Sequence, residues 1–117
     1  MSPQNRRAHE RYNIHLSAEI FTGTSRFTAT TRDLSVGGSC VEGGYPFEEG
    51  SEVDVSLFVV VDGIEDDATP PLRTRGVVQW TAENEDAPAN ARHLAGLRFD
   101  HLTEAQHAWL EAVISRG

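Results

Sequence analysis

A chain of 117 residues holds one domain with a single core, and 38% of its residues are apolar. Its formal net charge of −8 excludes a long nucleic acid polymer as partner, because polyanion binding rests on neutralising phosphates. No apolar stretch is long enough to span a membrane, no basic-then-apolar leader opens the chain, and the lone Cys40 cannot close an internal disulfide; a cytoplasmic protein with no membrane span is expected.

Residues 1–11 lack apolar periodicity and are read as a flexible N-terminal arm, ahead of a barrel over 12–102 and a helix of the same domain over 103–117. Ile14, Leu16, Ala18 and Ile20 alternate with polar residues, the pattern of a half-buried strand. Thr22–Ser25 reads as a turn, and the Thr- and Phe-rich stretch from Arg26 to Leu34 as a second strand pairing back on the first. A short third strand, Ser39 to Glu42, lies between Gly37-Gly38 and Gly43-Gly44. A fourth runs from Glu52 to Val61. Asp62 to Pro71 is acidic and ends in two prolines, so a solubilising hairpin loop is expected there.

The fifth strand covers Leu72 to Thr81 with Val77, Val78 and Trp80, and Trp80 is assigned to the core beside its apolar neighbours. The sixth covers His93 to Phe99. Thr103-Glu104-Ala105-Gln106 has the form of a capping box, and Leu102, Ala105, Trp109, Leu110, Val113 and Ile114 recur at helical spacing behind it. The expected fold class is mainly β: a six-stranded antiparallel barrel whose C-terminal α-helix caps one opening.

Catalytic constellations are missing, so no enzyme and no cofactor are expected. There is no GxxxxGK phosphate loop and no GxGxxG between a strand and a helix. The five histidines show no chelating pair, and His107 with Glu111, one helical turn apart, is a solvated surface pair rather than a metal site. Ser35 has no base beside it, and Cys40 is read as a small buried hydrophobe.

Charge is unevenly placed. Residues 1–32 carry five arginines against two glutamates, a local +3, while the rest of the chain carries −11; there is no lysine anywhere. A basic end on an acidic body suits a small anion. Two polar segments remain to recognise one. In Arg6-Arg7-Ala8-His9-Glu10-Arg11, Arg7 and Arg11 are spaced as RxxxR, and guanidinium forks both bind phosphate oxygens and stack on planar rings. A solvated basic arm has the same composition.

The second segment is Asp33-x-Ser35-x-x-Gly38. On a strand, Asp33 and Ser35 share a face; a carboxylate matches the paired N–H donors of a guanine edge, and a glycine admits close approach. A plain turn ending the strand accounts for the same residues.

Taken together, RRxxxR before the first strand and DxSxxG at the end of the second closely resemble the PilZ domain, a bacterial receptor module for cyclic di-GMP. Gly76-Val77-Val78-Gln79-Trp80 is similar to that family's GxVxW strand, and Gly96-Leu97-Arg98-Phe99 to its GxxF strand. The resemblance implies a single-domain receptor in which Arg7 and Arg11 hold phosphates and guanines, Asp33 reads a guanine edge, Ser35 touches the ligand and Gly38 leaves room for it. Arg6 stands where the family sets whether one nucleotide or an intercalated pair is bound, and Arg98 and Trp80 are within reach from neighbouring strands. Binding would order the arm and alter the surface shown to an unidentified downstream protein. The alternative is a protein-interaction adaptor of the same fold that does not bind the nucleotide. A single-stranded nucleic acid binder would want exposed aromatics on a basic face, and this body is acidic.

Overall fold

Alternation builds the barrel wall. In β2, Arg26–Leu34, the side chains of Phe27, Ala29 and Thr31 are buried while Arg26, Thr28 and Thr30 are exposed. The computed structural model describes residues 16–61, 63–66 and 69–116. Strand β1, Ser17–Phe21, pairs antiparallel with β2 and with β4, Glu52–Phe58. Strand β3, Gly38–Gly43, joins β2 to β8, His93–Asp100, and the long β7, Leu72–Glu83, closes the sheet between β8 and β4. The closed order is β1-β2-β3-β8-β7-β4, the six-stranded antiparallel barrel that the strand pattern implied.

Inward Ile20, Leu34, Val41, Val55, Leu57 and Val78 form the core, each 0 or 1% exposed. Helix α1, Glu104–Arg116, lays Leu110 and Val113 on that core, with Trp109 and Ile114 beside them. Its start is a capping box as read from the sequence: the Thr103 amide donates to Gln106 Oε1 at 2.8 Å, and the Gln106 amide to Thr103 Oγ1 at 3.1 Å. Gln106 Nε2 then donates to the Arg73 carbonyl, and Trp109 Nε1 to the Pro70 carbonyl, both at 2.7 Å. These bonds seat the helix at the barrel end where β7 begins. Among the described residues no helix is long and apolar enough to cross a membrane.

Three expectations change. The fourth strand stops at Phe58, and Val60–Val61 (β5) pairs with Ile64–Glu65 (β6), so part of the expected acidic loop is a small two-stranded ribbon. β7 runs on to Glu83. Trp80 is not in the core: a bulge between Val78 and Trp80 absorbs one extra residue, so Val78 stays inward and Trp80 turns outward, 38% exposed. The proposed start of the first strand at Ile14 lies outside the described residues.

Candidate functional site

A second bulge shapes the end of β2. Pairing passes from Thr31–Val41 to Asp33–Cys40 with Arg32 left over, which breaks the alternation. Arg32 is exposed beside Glu42 of β3, with Nε 3.8 Å from Oε2. Asp33 is half-buried and its Oδ1 accepts the Cys40 amide at 3.0 Å, while Ser39 Oγ donates to the Asp33 carbonyl at 2.6 Å. The carboxylate is therefore held at the barrel surface by β3 on both its backbone and its side chain.

β2 ends at Leu34, so Ser35 lies in the turn and is 5% exposed. Its Oγ accepts the Gly37 and Gly38 amides and donates to the Gly38 carbonyl, each at 3.2 Å, while its own amide donates to that carbonyl at 2.9 Å. The Phe99 amide donates to the Gly37 carbonyl at 2.9 Å and ties the turn to β8. The shared strand face expected for Asp33 and Ser35 gives way to a division of labour: Asp33 faces outward and Ser35 closes the turn.

The space at Gly38 also has a specific owner. A Cβ there would overlap the Leu97 carbonyl oxygen, so the glycine is required by the passing backbone of β8. Across the outer face, Asp33, Cys40, Gly96 and Trp80 stand in one register row. The Trp80 indole covers Gly96, where a Cβ would overlap the ring. Cys40, in the same row, is buried. Exposed Arg98 pairs with Gly38 two residues further along, past the Ser39–Leu97 pair. The result is a shallow edge bounded by a fixed carboxylate, a guanidinium and an indole.

Leu16 begins the described chain at this same barrel end; Arg6, Arg7 and Arg11 lie outside the described residues. His107 and Glu111 pair with each other on α1, Nδ1 to Oε1 at 3.0 Å, both well exposed. Sequence reasoning missed Ser39 and Thr31. Ser39 gave no signal, whereas Thr31 occupies an inward position in the alternation of β2 and was detectable as a polar group in a core place.

A cavity of about 560 Å³ opens elsewhere, at the barrel end holding the β1–β2 turn and the loop before β4. Phe27, Tyr45 and Phe47 wall it, with both ring pairs at 5.4 Å between centroids, and Val53 and Val78 also line it. Volume favours that end. The preorganised polar atoms are at the other, and a charged, hydrogen-bonding ligand is selected by those.

Among solved structures, this chain is similar to the PilZ domain of YcgR from Escherichia coli, solved with c-di-GMP: the TM-score is 0.74 at 15% identity, covering 95% of this chain and 90% of that one. It is also similar to the Bacillus subtilis inhibitor of motility MotI/DgrA, with TM-score 0.72 at 16% identity over 99% of this chain; it spans 55% of that protein. The PilZ domain of CeSA from a cellulose-synthesizing bacterium aligns with TM-score 0.59 at 17% identity, covering 92% and 96% of the two chains. At such identities the likeness is one of fold. No curated protein matches the sequence. The sequence model of the PilZ domain, however, matches residues 5–116, from the arginine segment through the helix, and the chain belongs to the PilZ domain family.

Proposed function

We propose that this protein is a receptor for cyclic di-GMP and not an enzyme. The observation that carries the reading is the outward-facing Asp33 carboxylate, fixed by the Cys40 amide at the barrel end where the described chain begins, in a sequence that also carries Arg6-Arg7-x-x-x-Arg11. A carboxylate offers two oxygens with about four acceptor sites, the kind of group that matches the paired N–H donors of a guanine edge. Arg7 and Arg11 neutralise the two phosphates and stack on or bond the bases. Ser35 acts by shaping the turn, and Gly38 by letting β8 approach. Arg98 borders the ligand from two residues further along β8 and Trp80 from the far side. The YcgR PilZ domain solved with c-di-GMP supports this assignment.

Ordering the arm costs roughly 1–2 kcal/mol per backbone residue fixed. Each charge-assisted bond returns only about 1.5–3 kcal/mol, so several arginine contacts have to act together. In this reading, binding draws the arm over the Asp33 edge and changes the surface offered to a downstream protein in the cytoplasm. Arg6 sets whether one nucleotide or an intercalated pair is held.

Isothermal titration with cyclic di-GMP, beside an Arg7→Ala control, tests the reading. Micromolar or tighter binding that vanishes in the control is expected, and the stoichiometry reports on Arg6. Absence of both heat and thermal stabilisation at ligand excess would overturn it in favour of an adaptor that does not bind the nucleotide.

A further inference from the structure

We propose that the aromatic-walled cavity at the barrel end away from Asp33 binds a free small organic cation with an apolar body, of the quaternary-ammonium kind. The site is separate from the Asp33 edge and does not depend on nucleotide binding.

At about 560 Å³ the cavity falls in the roughly 300–1,000 Å³ range of small-molecule sites, and barrel mouths are a common place for them. Its floor is the barrel core: the lining residues Val53 and Val78 are 3% and 1% exposed. Tyr45 meets Phe27 at an interplanar angle of 45° and Phe47 meets it at 65°, so the rings wall the space from different directions instead of stacking. The loop that carries Glu48 is stitched to the floor. The Gly50 amide donates to the Val78 carbonyl at 2.8 Å, and the Val78 amide to the Ser51 carbonyl at 2.9 Å. Gly50 makes that turn at a φ of 86°, in the left-handed region that glycine tolerates.

The groups that these walls leave unengaged select the ligand. Thr22 Oγ1 accepts the Ser25 amide at 3.1 Å and lies 3.4 Å from Thr24 Oγ1, while Ser51 Oγ donates to the Glu48 carbonyl at 2.6 Å. These hydroxyls serve their own turns, so a ligand rich in donors and acceptors gains little here. Arg26 is drawn aside, its Nε 3.3 Å from Glu19 Oε1 and its guanidinium 5.6 Å from the centre of the Phe21 ring. The Glu48 carboxylate lines the cavity and has no ion pair among the described residues. Negative ring faces and a carboxylate attract a cation and repel an anion. A quaternary ammonium carries charge with no N–H that needs a partner, which suits walls made of rings. Its apolar body covers Val53 and Val78; a cavity of about 150 Å³ already holds a benzene ring. A cation borne on a peptide would instead bring backbone amides to a rim whose hydroxyls are engaged, which favours a free molecule.

The test titrates the full chain with benzyltrimethylammonium and follows binding by NMR. Saturable shifts are expected at the Val53 and Val78 methyls and at the Phe27, Tyr45 and Phe47 rings, with a Kd in the millimolar range or tighter. Choline should bind about fivefold more tightly than its neutral isostere dimethylbutanol, in which carbon replaces nitrogen. Benzyltrimethylammonium should bind more tightly than tetramethylammonium, which lacks the apolar body. Glu48→Gln should weaken cation binding about threefold and leave the alcohol unchanged. Tyr45→Leu keeps bulk and removes the ring face, and should weaken cation binding about fivefold. Both positions are exposed, so both variants should unfold at the parental denaturant concentration. Equal affinity for choline and the alcohol would overturn the cation assignment. Shifts spread evenly over the surface, or displacement of the probe by excess cyclic di-GMP, would overturn the site. A peptide carrying trimethyllysine should bind more weakly than benzyltrimethylammonium, and the reverse order would overturn the assignment to a free molecule. Absence of any shift would sink the proposal and leave the receptor reading untouched.

Discussion

The two ends of the barrel are made differently. At the α1 end, the Ser35 and Thr31 hydroxyls accept the Gly38 and Leu16 amides, and Ser39 Oγ and the Cys40 amide donate to Asp33, so that a bulge and a turn are fixed. At the other end, Phe27, Tyr45 and Phe47 gather around a roomy cavity, and Tyr45 remains 62% exposed. One end orders polar atoms without enclosing volume, and the other encloses volume without ordering polar atoms. The lesson is that preorganisation of donors and acceptors, more than concavity, marks the place where a charged ligand with planar bases can be read.

The largest effect should come from removing charge at the polar end. Asp33→Ala takes away the carboxylate that faces the proposed ligand and the acceptor for the Cys40 amide. Cyclic di-GMP affinity should fall by about 100-fold or more, the equivalent of one to two charge-assisted bonds. Tyr45→Ala, at the aromatic end, should bind within about twofold of the parent. If titration shows the reverse order, the assignment of the two ends is wrong.

Next in size is the helix cap. Leu110 is fully buried against the barrel, and Leu110→Ala should cost about 2–5 kcal/mol in denaturant unfolding. A cost near zero would mean that α1 does not close this end. Gly38→Ala should follow, at about 1–3 kcal/mol, because its Cβ meets a backbone carbonyl that cannot swing aside. That cost should appear with and without ligand, which separates a strand-packing glycine from one that merely clears space for a nucleotide.

The smallest effect sharpens the comparison. Ser35→Ala removes the hydroxyl that ties the Gly37 and Gly38 amides. Unfolding should be easier by about 1 kcal/mol, with a parallel weakening of affinity, as for a neutral hydrogen bond that acts through turn shape. A loss of affinity as large as that of Asp33→Ala, without the stability change, would return Ser35 to direct ligand contact.

Much of this molecule was legible along the chain because its signals are local. Alternation in Ala18–Ile20 and Val53–Leu57, turn residues between strands, and the Thr103–Gln106 capping box depend only on neighbours a few residues apart, and they determined the barrel class and its helix. The spacing of Asp33, Ser35 and Gly38 likewise marked the place where β2 turns into β3. Tertiary structure decided the rest. β3 pairs with β8 and β1 with β4, partners far apart in sequence, and the closed register required bulges near Arg32 and Gln79. A single extra residue reverses which side chains face the core. That is why Trp80 lies outside over Gly96, why Asp33 faces outward while Ser35 closes the turn, and why the room at Gly38 belongs to the carbonyl of Leu97.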